Sequence, residues 1–396
     1  MLTGKTSSYP ASRRRLRLGM VGGGRDGLVG QWHWIGARVS NRWELVAAAP
    51  SSDPEAALAS GRAWHLAEDR IYADWRDMAR TEAGLADGID AVAICTPNWT
   101  HYEIAMAFLD AGIDVICDKP LCNEPDEARK LLEKQAETGL VLAVTYPYVF
   151  HPMVRQAREM VASGAIGSLR QVMVEYVQEG AALPADPASR KAMWKADPAM
   201  TGRAAVAGDI GTHALHLLEF VAGQRVTRLR ADLHVCGAPK TTPDTGFLNL
   251  EMAGGAPGSM WVTQAAAGNY CGLRIRLYGD KAGLEWDQEN PEKLRFTPLR
   301  QPEQTIVRGH GAGMLPEAER MVLLPRGHGE ALSDAWGNLY TEIAVAVEAR
   351  RDGRSLPENA LVMPDVGDGA RGVAFVHATA DSHEGGGVWV DLPGGR

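Results

Sequence analysis

Two short motifs carry side chains that can move a proton and steady a negative oxygen. The first is Cys117-Asp118-Lys119-Pro120, which closes an apolar run. An ammonium fixed at such a place stabilises charge developing on an oxygen. The second is Gly208-Asp209-Ile210-Gly211-Thr212-His213-Ala214-Leu215-His216, which opens an apolar, helix-like stretch. Asp209 and His213 are four apart, and a helix brings such residues to one face. A neutral imidazole can take a hydroxyl proton, and Asp209 would orient its ring or steady its cation. Asp209 pushes the histidine pKa up from ~6.5 and Lys119 pushes it down. A lone Lys-Pro is usually a turn, and a lone histidine in an apolar helix is usually packing. The two motifs together favour chemistry, with Lys119, Asp209 and His213 as the catalytic set and His216 as packing or substrate contact.

A glycine loop says what they act beside. Gly22-Gly23-Gly24-Arg25-Asp26-Gly27 fits GxGxxG directly after an apolar strand. Glycines there permit a tight turn and let backbone N–H groups approach a pyrophosphate at a helix N-terminus. Gly22 and Gly24 are the first two of the pattern. Either Gly27 or Gly30 serves as the third. An acidic residue for the ribose hydroxyls is expected at the end of the second strand. This chain has Ala49-Pro50-Ser51-Ser52 there, with Asp53 slightly late. Ser51 and Ser52 can accept a 2′-phosphate, and Asp53 before Pro54 also suits a helix cap. The cofactor is therefore read as NAD or NADP. A hydride leaving a secondary carbinol carbon for nicotinamide, with its hydroxyl proton leaving to His213, is the reaction these parts suit.

The elements that must position these residues alternate strand and helix. Apolar runs at Leu16–Val21, Trp43–Ala49, Ala91–Cys95, Asp114–Cys117 and Leu140–Thr145 are separated by helical stretches at Pro54–Trp64, His101–Ala111 and Pro125–Thr138. Continuous apolar strands with helices between them predict a parallel sheet covered on both faces. Residues 15–150 are read as a dinucleotide-binding α/β Rossmann domain, with ligands outside the carboxyl ends of its strands. Residues 151–396 read differently. A helix at Met153–Ser163 precedes strand-like segments at Arg170–Glu179, Arg225–Val235, Thr245–Met252, Gly258–Ala265 and Leu273–Gly279. A long helix at Leu332–Arg350 and a last strand at Val388–Leu392 follow. Clustered strands predict an α+β domain with a largely antiparallel sheet. The stretch Arg308–Glu330 reads either as a mobile loop at a substrate entrance or as a surface excursion, and His310 and His328 within it show no metal-ligand spacing.

Composition narrows the partners. The chain has 396 residues, 45% hydrophobic and 23% charged, with a formal net charge of -8. That balance opposes bulk attraction to nucleic acid or anionic lipid. Arg13, Arg14, Arg15 and Arg17 are read as a solvated end of a disordered 1–14 tail, in preference to a nucleic-acid arm or export signal. No apolar stretch approaches the ~18 residues of a membrane span. Five cysteines without a CxxC pair suggest neither a disulfide framework nor a zinc site. No metal is expected, and a cytoplasmic location is.

The chain resembles the Gfo/Idh/MocA oxidoreductase family. The residues that carry the likeness are the Gly22 loop, Thr96-Pro97-Asn98, Lys119-Pro120, Asp209 with His213, and Gly279-Asp280-Lys281-Ala282-Gly283, over roughly residues 16–392. The resemblance implies a sugar or cyclitol dehydrogenase, or a ketosugar reductase running the reaction backwards. It implies a Lys, Asp and His at the nicotinamide, falling on Lys119, Asp209 and His213, and makes residues 151–396 an open-faced sheet domain for substrate binding and oligomerisation, in a homodimer or homotetramer. Thr96, Pro97, Asn98 and His101 join Lys119 as cofactor contacts. Trp194-Lys195 resembles a Trp-Arg substrate element of the family. Tyr146 and Tyr148 either line the cleft or cap the core. The chain departs from the pattern in its longer glycine loop, in Asp118 where glutamate is usual, and in the missing acid after the second strand. A non-catalytic cofactor-binding sensor is the reading from another class, and the intact trio counts against it.

Overall fold

A computed structural model describes residues 14–24, 27–184, 198–237 and 241–393. Trp194 and Lys195 lie outside the described residues, as do Arg25 and Asp26 of the glycine loop. The first half runs β1 (Leu16–Gly22), α1 (Leu28–Ser40), β2 (Trp43–Ala49), α2 (Pro54–Ala63), α3 (Trp75–Gly84), β3 (Ala91–Cys95), α4 (His101–Asp110), β4 (Asp114–Cys117), α5 (Pro125–Thr138) and β5 (Leu142–Val144). The strands form one parallel sheet in the order β2-β1-β3-β4-β5. Leu18, Met20, Val92 and Val115 are almost wholly buried, because helices cover both faces of such a sheet. The order reverses between β1 and β3, and Gly22 pairs with Cys95 at that switch point. The crevice that opens there is where a doubly wound sheet binds ligands.

The second half begins with α6 (Pro152–Ala162) and β6 (Leu169–Val177). After α7 (Thr212–Ala222) come β7 (Val226–His234), β8 (Thr245–Met252), β9 (Pro257–Thr263), β10 (Gly272–Gly279), β11 (Ala282–Asp287), β12 (Lys293–Pro298) and β13 (Gln304–Val307). α8 (Pro316–Met321), α9 (Leu332–Arg351), α10 (Val366–Glu384) and β14 (Val390–Asp391) complete the chain. Nine strands build one sheet in the order β13-β12-β11-β10-β6-β9-β8-β7-β14, antiparallel except for the β6–β9 pair. Alternation sets its two faces. In β7, Leu229, Ala231 and Leu233 are buried while Arg228, Arg230 and Asp232 point away. One face carries the helices and the other is open.

The last helices return to the first domain. α9 packs along α1, where Gly36 and Gly337 allow close approach: a Cβ on Gly36 would sit 2.7 Å from the Tyr340 ring and one on Gly337 2.3 Å from Val39. Arg350 pairs with buried Asp114 at 2.7 Å. α10 lies against β5, its Gly369 facing Val144 and Leu121. The Arg308–Glu330 stretch is an anchored surface excursion. Buried Arg308 binds Glu292 at 2.6 Å and Glu330 at 2.9 Å, and Glu317 of α8 meets Arg155 of α6 at 3.1 Å.

Candidate active site

The glycine loop is shaped by backbone crowding. Gly22 (φ 78°) and Gly23 (φ 68°) occupy the left-handed region, where glycine has no Cβ penalty. A Cβ on Gly22 would lie 2.7 Å from Thr96 Cγ2. A Cβ on Gly30 would lie 2.4 Å from the Gly23 carbonyl oxygen, and one on Gly23 would lie 2.6 Å from Gly30 Cα. Gly30 is thus the glycine that seats the helix against the turn. Gly27 does a different job as N-cap of α1, its N–H bonded to Gly24 O at 2.6 Å. The cap supplies no side chain to the first-turn amides, and that turn holds no acid. Those amides and the Cβ-free turn fit a dinucleotide pyrophosphate. Beyond β2, Ser51 is half-buried and Ser52 exposed. Asp53 caps α2 through Glu55 N (3.0 Å) and Ala56 N (3.4 Å).

Thr96, Pro97 and Asn98 follow β3 at the switch point, half-buried. His101 stands behind them, fully buried. Its ring nitrogens lie 2.8 Å from Thr96 O and 2.8 Å from Pro120 O. The enclosed ring ties the β3 loop to the loop after β4.

That second loop carries Asp118 and Lys119, with a cis bond before Pro120. Asp118 accepts a hydrogen bond from the Thr145 hydroxyl at 2.6 Å, and His33 Nε2 of α1 lies 3.9 Å away. Burial opposes its charge, yet His33, Lys119 and Thr145 hold its pKa down at about 2. Lys119 Nζ donates to Asp209 O at 2.6 Å and to Asp209 Oδ1 at 3.1 Å. Asp209 sits in a π-helical turn, Ala207–Gly211, that leads into α7. Such turns widen the helix and recur at functional sites. The helix expected from the Asp209-His213 spacing is therefore widened at Asp209.

His213 follows on the first turn of α7. Burial, and then Lys119, push its pKa well below the usual imidazole value, outweighing Asp118 and Asp209. The opposing pulls expected of Asp209 and Lys119 are thus settled by desolvation, which acts before either charge. Its Nδ1 is buried without a hydrogen-bond partner. Tyr148 meets the imidazole edge-on at 5.0 Å and Tyr146 at 5.6 Å. Tyr146 is buried behind His213 and stacks on His216 at 4.3 Å. His216 points to Asp368 of α10, 3.9 Å away. The structure thus brings Lys119, Asp209, His213 and Tyr148 together and leaves His216 and Tyr146 in the packing behind them.

Three residues of this cluster lay outside the sequence reading. Gln264 donates to Asp209 Oδ2 at 2.7 Å. Tyr176 of β6 bonds the Tyr148 hydroxyl at 2.6 Å, and its own hydroxyl lies 3.4 Å from Cys271 Sγ. No local motif marks them; Tyr176 lies in β6, Gln264 directly after β9 and Cys271 directly before β10, and only the fold of the second sheet brings them to the cluster. Among the described residues, no group of three or more His, Cys, Asp or Glu is placed to hold a metal ion, and no helix is long and apolar enough to cross a membrane.

A doubly wound domain with a dinucleotide cradle, opening on a lysine, a carboxylate and a half-buried imidazole, defines the class of NAD-binding oxidoreductases. Residues 16–146 match the family model described as an oxidoreductase family with an NAD-binding Rossmann fold, and residues 154–285 match the GFO/IDH/MocA C-terminal domain. The chain belongs to the GFO/IDH/MocA family. It is 34% identical over 383 residues to the uncharacterized oxidoreductase YfiI of Bacillus subtilis, covering 95% of this chain and 97% of that one. It is 25% identical over 411 residues to levoglucosan dehydrogenase of Pseudarthrobacter phenanthrenivorans, covering 96% and 99%. The solved structure of an inositol dehydrogenase homolog from Azotobacter vinelandii, complexed with NADH and myo-inositol, superposes with a TM-score of 0.89 at 36% identity, covering 96% and 98%.

Proposed function

We propose that this chain is an NAD-dependent dehydrogenase that oxidises a secondary hydroxyl of a cyclitol or cyclic sugar. The observation that carries the reading is the meeting of the Lys119 ammonium, the Asp209 carboxylate and the half-buried His213 imidazole beside the glycine cradle. Bound nicotinamide supplies the hydride acceptor. His213, kept free of a proton by burial, takes the hydroxyl proton as the C–H electron pair leaves and the C=O bond forms. Lys119, held by Asp209, donates to the substrate oxygen and stabilises its developing charge. Reduction of a ketone would use the same groups in reverse, with His213 giving a proton. Burial leaves the resting ring unprotonated, the state from which oxidation starts.

Ring substrates are supported by the aromatic wall of Tyr148 and Tyr176 beside His213, and by the myo-inositol and levoglucosan that the relatives' names record. NAD is supported by Asp53 just beyond β2, whose charge opposes a 2′-phosphate. A homodimer or homotetramer is supported by the open sheet face, where Phe247 stacks on Trp261 and Met173 is exposed.

The test is an initial-rate assay of nicotinamide absorbance with NAD and NADP over a panel of cyclitols, cyclic sugars and ketosugars. Lys119→Ala should lower kcat by about 100-fold or more, the scale of a lost oxyanion donor, with cofactor Kd little changed. Equal loss of cofactor binding would move Lys119 out of the chemistry. A wild-type protein that binds cofactor yet turns over nothing in the panel would end the reading.

A further inference from the structure

Gln264 follows directly on β9, and its position is over-determined by backbone bonds. Its N–H donates to Asp244 O at 2.9 Å, and its carbonyl accepts from Ala181 N at 2.6 Å. Asp244 is itself fully buried, and its carboxylate takes the N–H groups of Cys236 and Gly237 at 2.9 and 3.1 Å. From this fixed stem the Gln264 side chain reaches across to the π-helical turn and donates to Asp209 Oδ2 at 2.7 Å. The other oxygen of that carboxylate, Oδ1, takes Lys119 Nζ at 3.1 Å.

We propose that Gln264 is a positioning residue for the reaction: it fixes the Asp209 carboxylate so that Oδ1 presents to Lys119, and through that pair it sets where the ammonium points. The inference rests on the dehydrogenase reading above and adds a third, sheet-borne partner to the catalytic pair. Only the NH2 end of an amide can donate to a charged carboxylate, so the contact also fixes the amide's orientation. A neutral donor suits the place. It holds Asp209 without competing for Lys119, as a second cation would, and without repelling Asp209, as a second carboxylate would. A rigid supporting contact of this kind separates a productive site from a loose one.

Two variants and a structure test it. Gln264→Leu removes the donor at similar size, and kcat should fall roughly ten- to hundredfold, the range of one hydrogen bond to a charged group, with cofactor Kd within about twofold. Gln264→Glu should be slow at neutral pH and recover as pH is lowered, because the introduced carboxyl can donate again once protonated. Mere packing would give no such pH-dependent rescue. In a crystal structure of Gln264→Leu, Asp209 should leave its rotamer and the Lys119 contact should lengthen. Wild-type kcat and an unchanged pH profile in both variants, or an undisturbed Asp209 in the variant structure, would overturn the proposal. If the wild type is inactive on every polyol, the dehydrogenase reading falls, and the crystallographic result still decides what Gln264 does to Asp209.

Discussion

At the residue scale, one imbalance decides how the site works. His213 lies between a lysine and two aspartates, and burial together with Lys119 outweighs the aspartates and keeps its pKa well below 6.5. The base is then ready across the neutral range. Oxidation should be level through neutral pH and fall only in acid, below the ordinary imidazole value of ~6.5. His213→Asn should remove that acid limb and slow turnover by about 100- to 10,000-fold, the usual worth of a general base, with cofactor affinity unchanged. A variant keeping both its acid limb and most of its rate would make His213 a packing residue and turn attention to Tyr148 or Lys119. The trio was legible because Lys119 ends a strand and Asp209 and His213 share a motif. Gln264 and Tyr176 were not, since each is a common residue type outside any motif and its partner is remote in sequence: 55 residues separate Gln264 from Asp209. His33 was hidden for the same reason, being one more residue of α1 until folding sets it 3.9 Å from Asp118.

Among the elements, the glycine loop offers the clearest test. Gly27→Val and Gly30→Val look alike in a motif, and the structure separates them. A side chain on Gly30 would run into the backbone of Gly23, with only 2.4 Å to its carbonyl oxygen. On Gly27 the nearest atoms lie at 3.0 Å, within the same loop. Cofactor titration should show the larger loss for Gly30→Val, which must push α1 off the turn. Equal losses would mean that the loop adjusts as a whole. The strands of the first sheet could be read from their unbroken apolar runs, and β8 from its alternation. β11, β12 and β13 escaped notice, since Glu285 and Asp287 in the first, Lys293 and Arg295 in the second and Gln304 in the third make them look like surface loops, although each pairs with its neighbour in register. α10 was also missed. Gly367, Gly369 and Gly372 lower helix propensity, but a Cβ on Gly372 would come within 2.6 Å of the Tyr146 hydroxyl, so the absent side chains are what let the helix settle behind the site.

For the whole molecule, the buried ionisable groups predict a two-stage loss of stability in acid. His151 is buried against Trp286 with its pKa depressed to about 3, and His213 is depressed as well. Below about pH 6.5 the unfolded chain gains protons at these rings that the folded chain refuses, so stability falls by ~1.4 kcal/mol per pH unit for each ring. Asp118 and Asp368, held at about 2 despite burial, stabilise the fold above the unfolded value of ~3.9 and lose that contribution as pH falls toward 2. Denaturant midpoints measured down from neutrality should therefore begin to drop near pH 6.5, before Asp118 and Asp368 titrate. His151→Phe should flatten the first stage, and an unaltered slope would show that the ring is protonated in the fold.

The contact between α1 and α9 carries a consequence for how the molecule is made. Residues 28–40 leave the ribosome early, while the helix that shelters their Gly36 and Ala37 face spans residues 332–351. At about 5–20 residues per second, that face waits roughly a quarter of a minute to a minute for its cover. The half of the protein synthesised first is thus among the last to be finished, and a newborn chain stays exposed to misassociation at the helix its cofactor loop depends on until its final helices emerge.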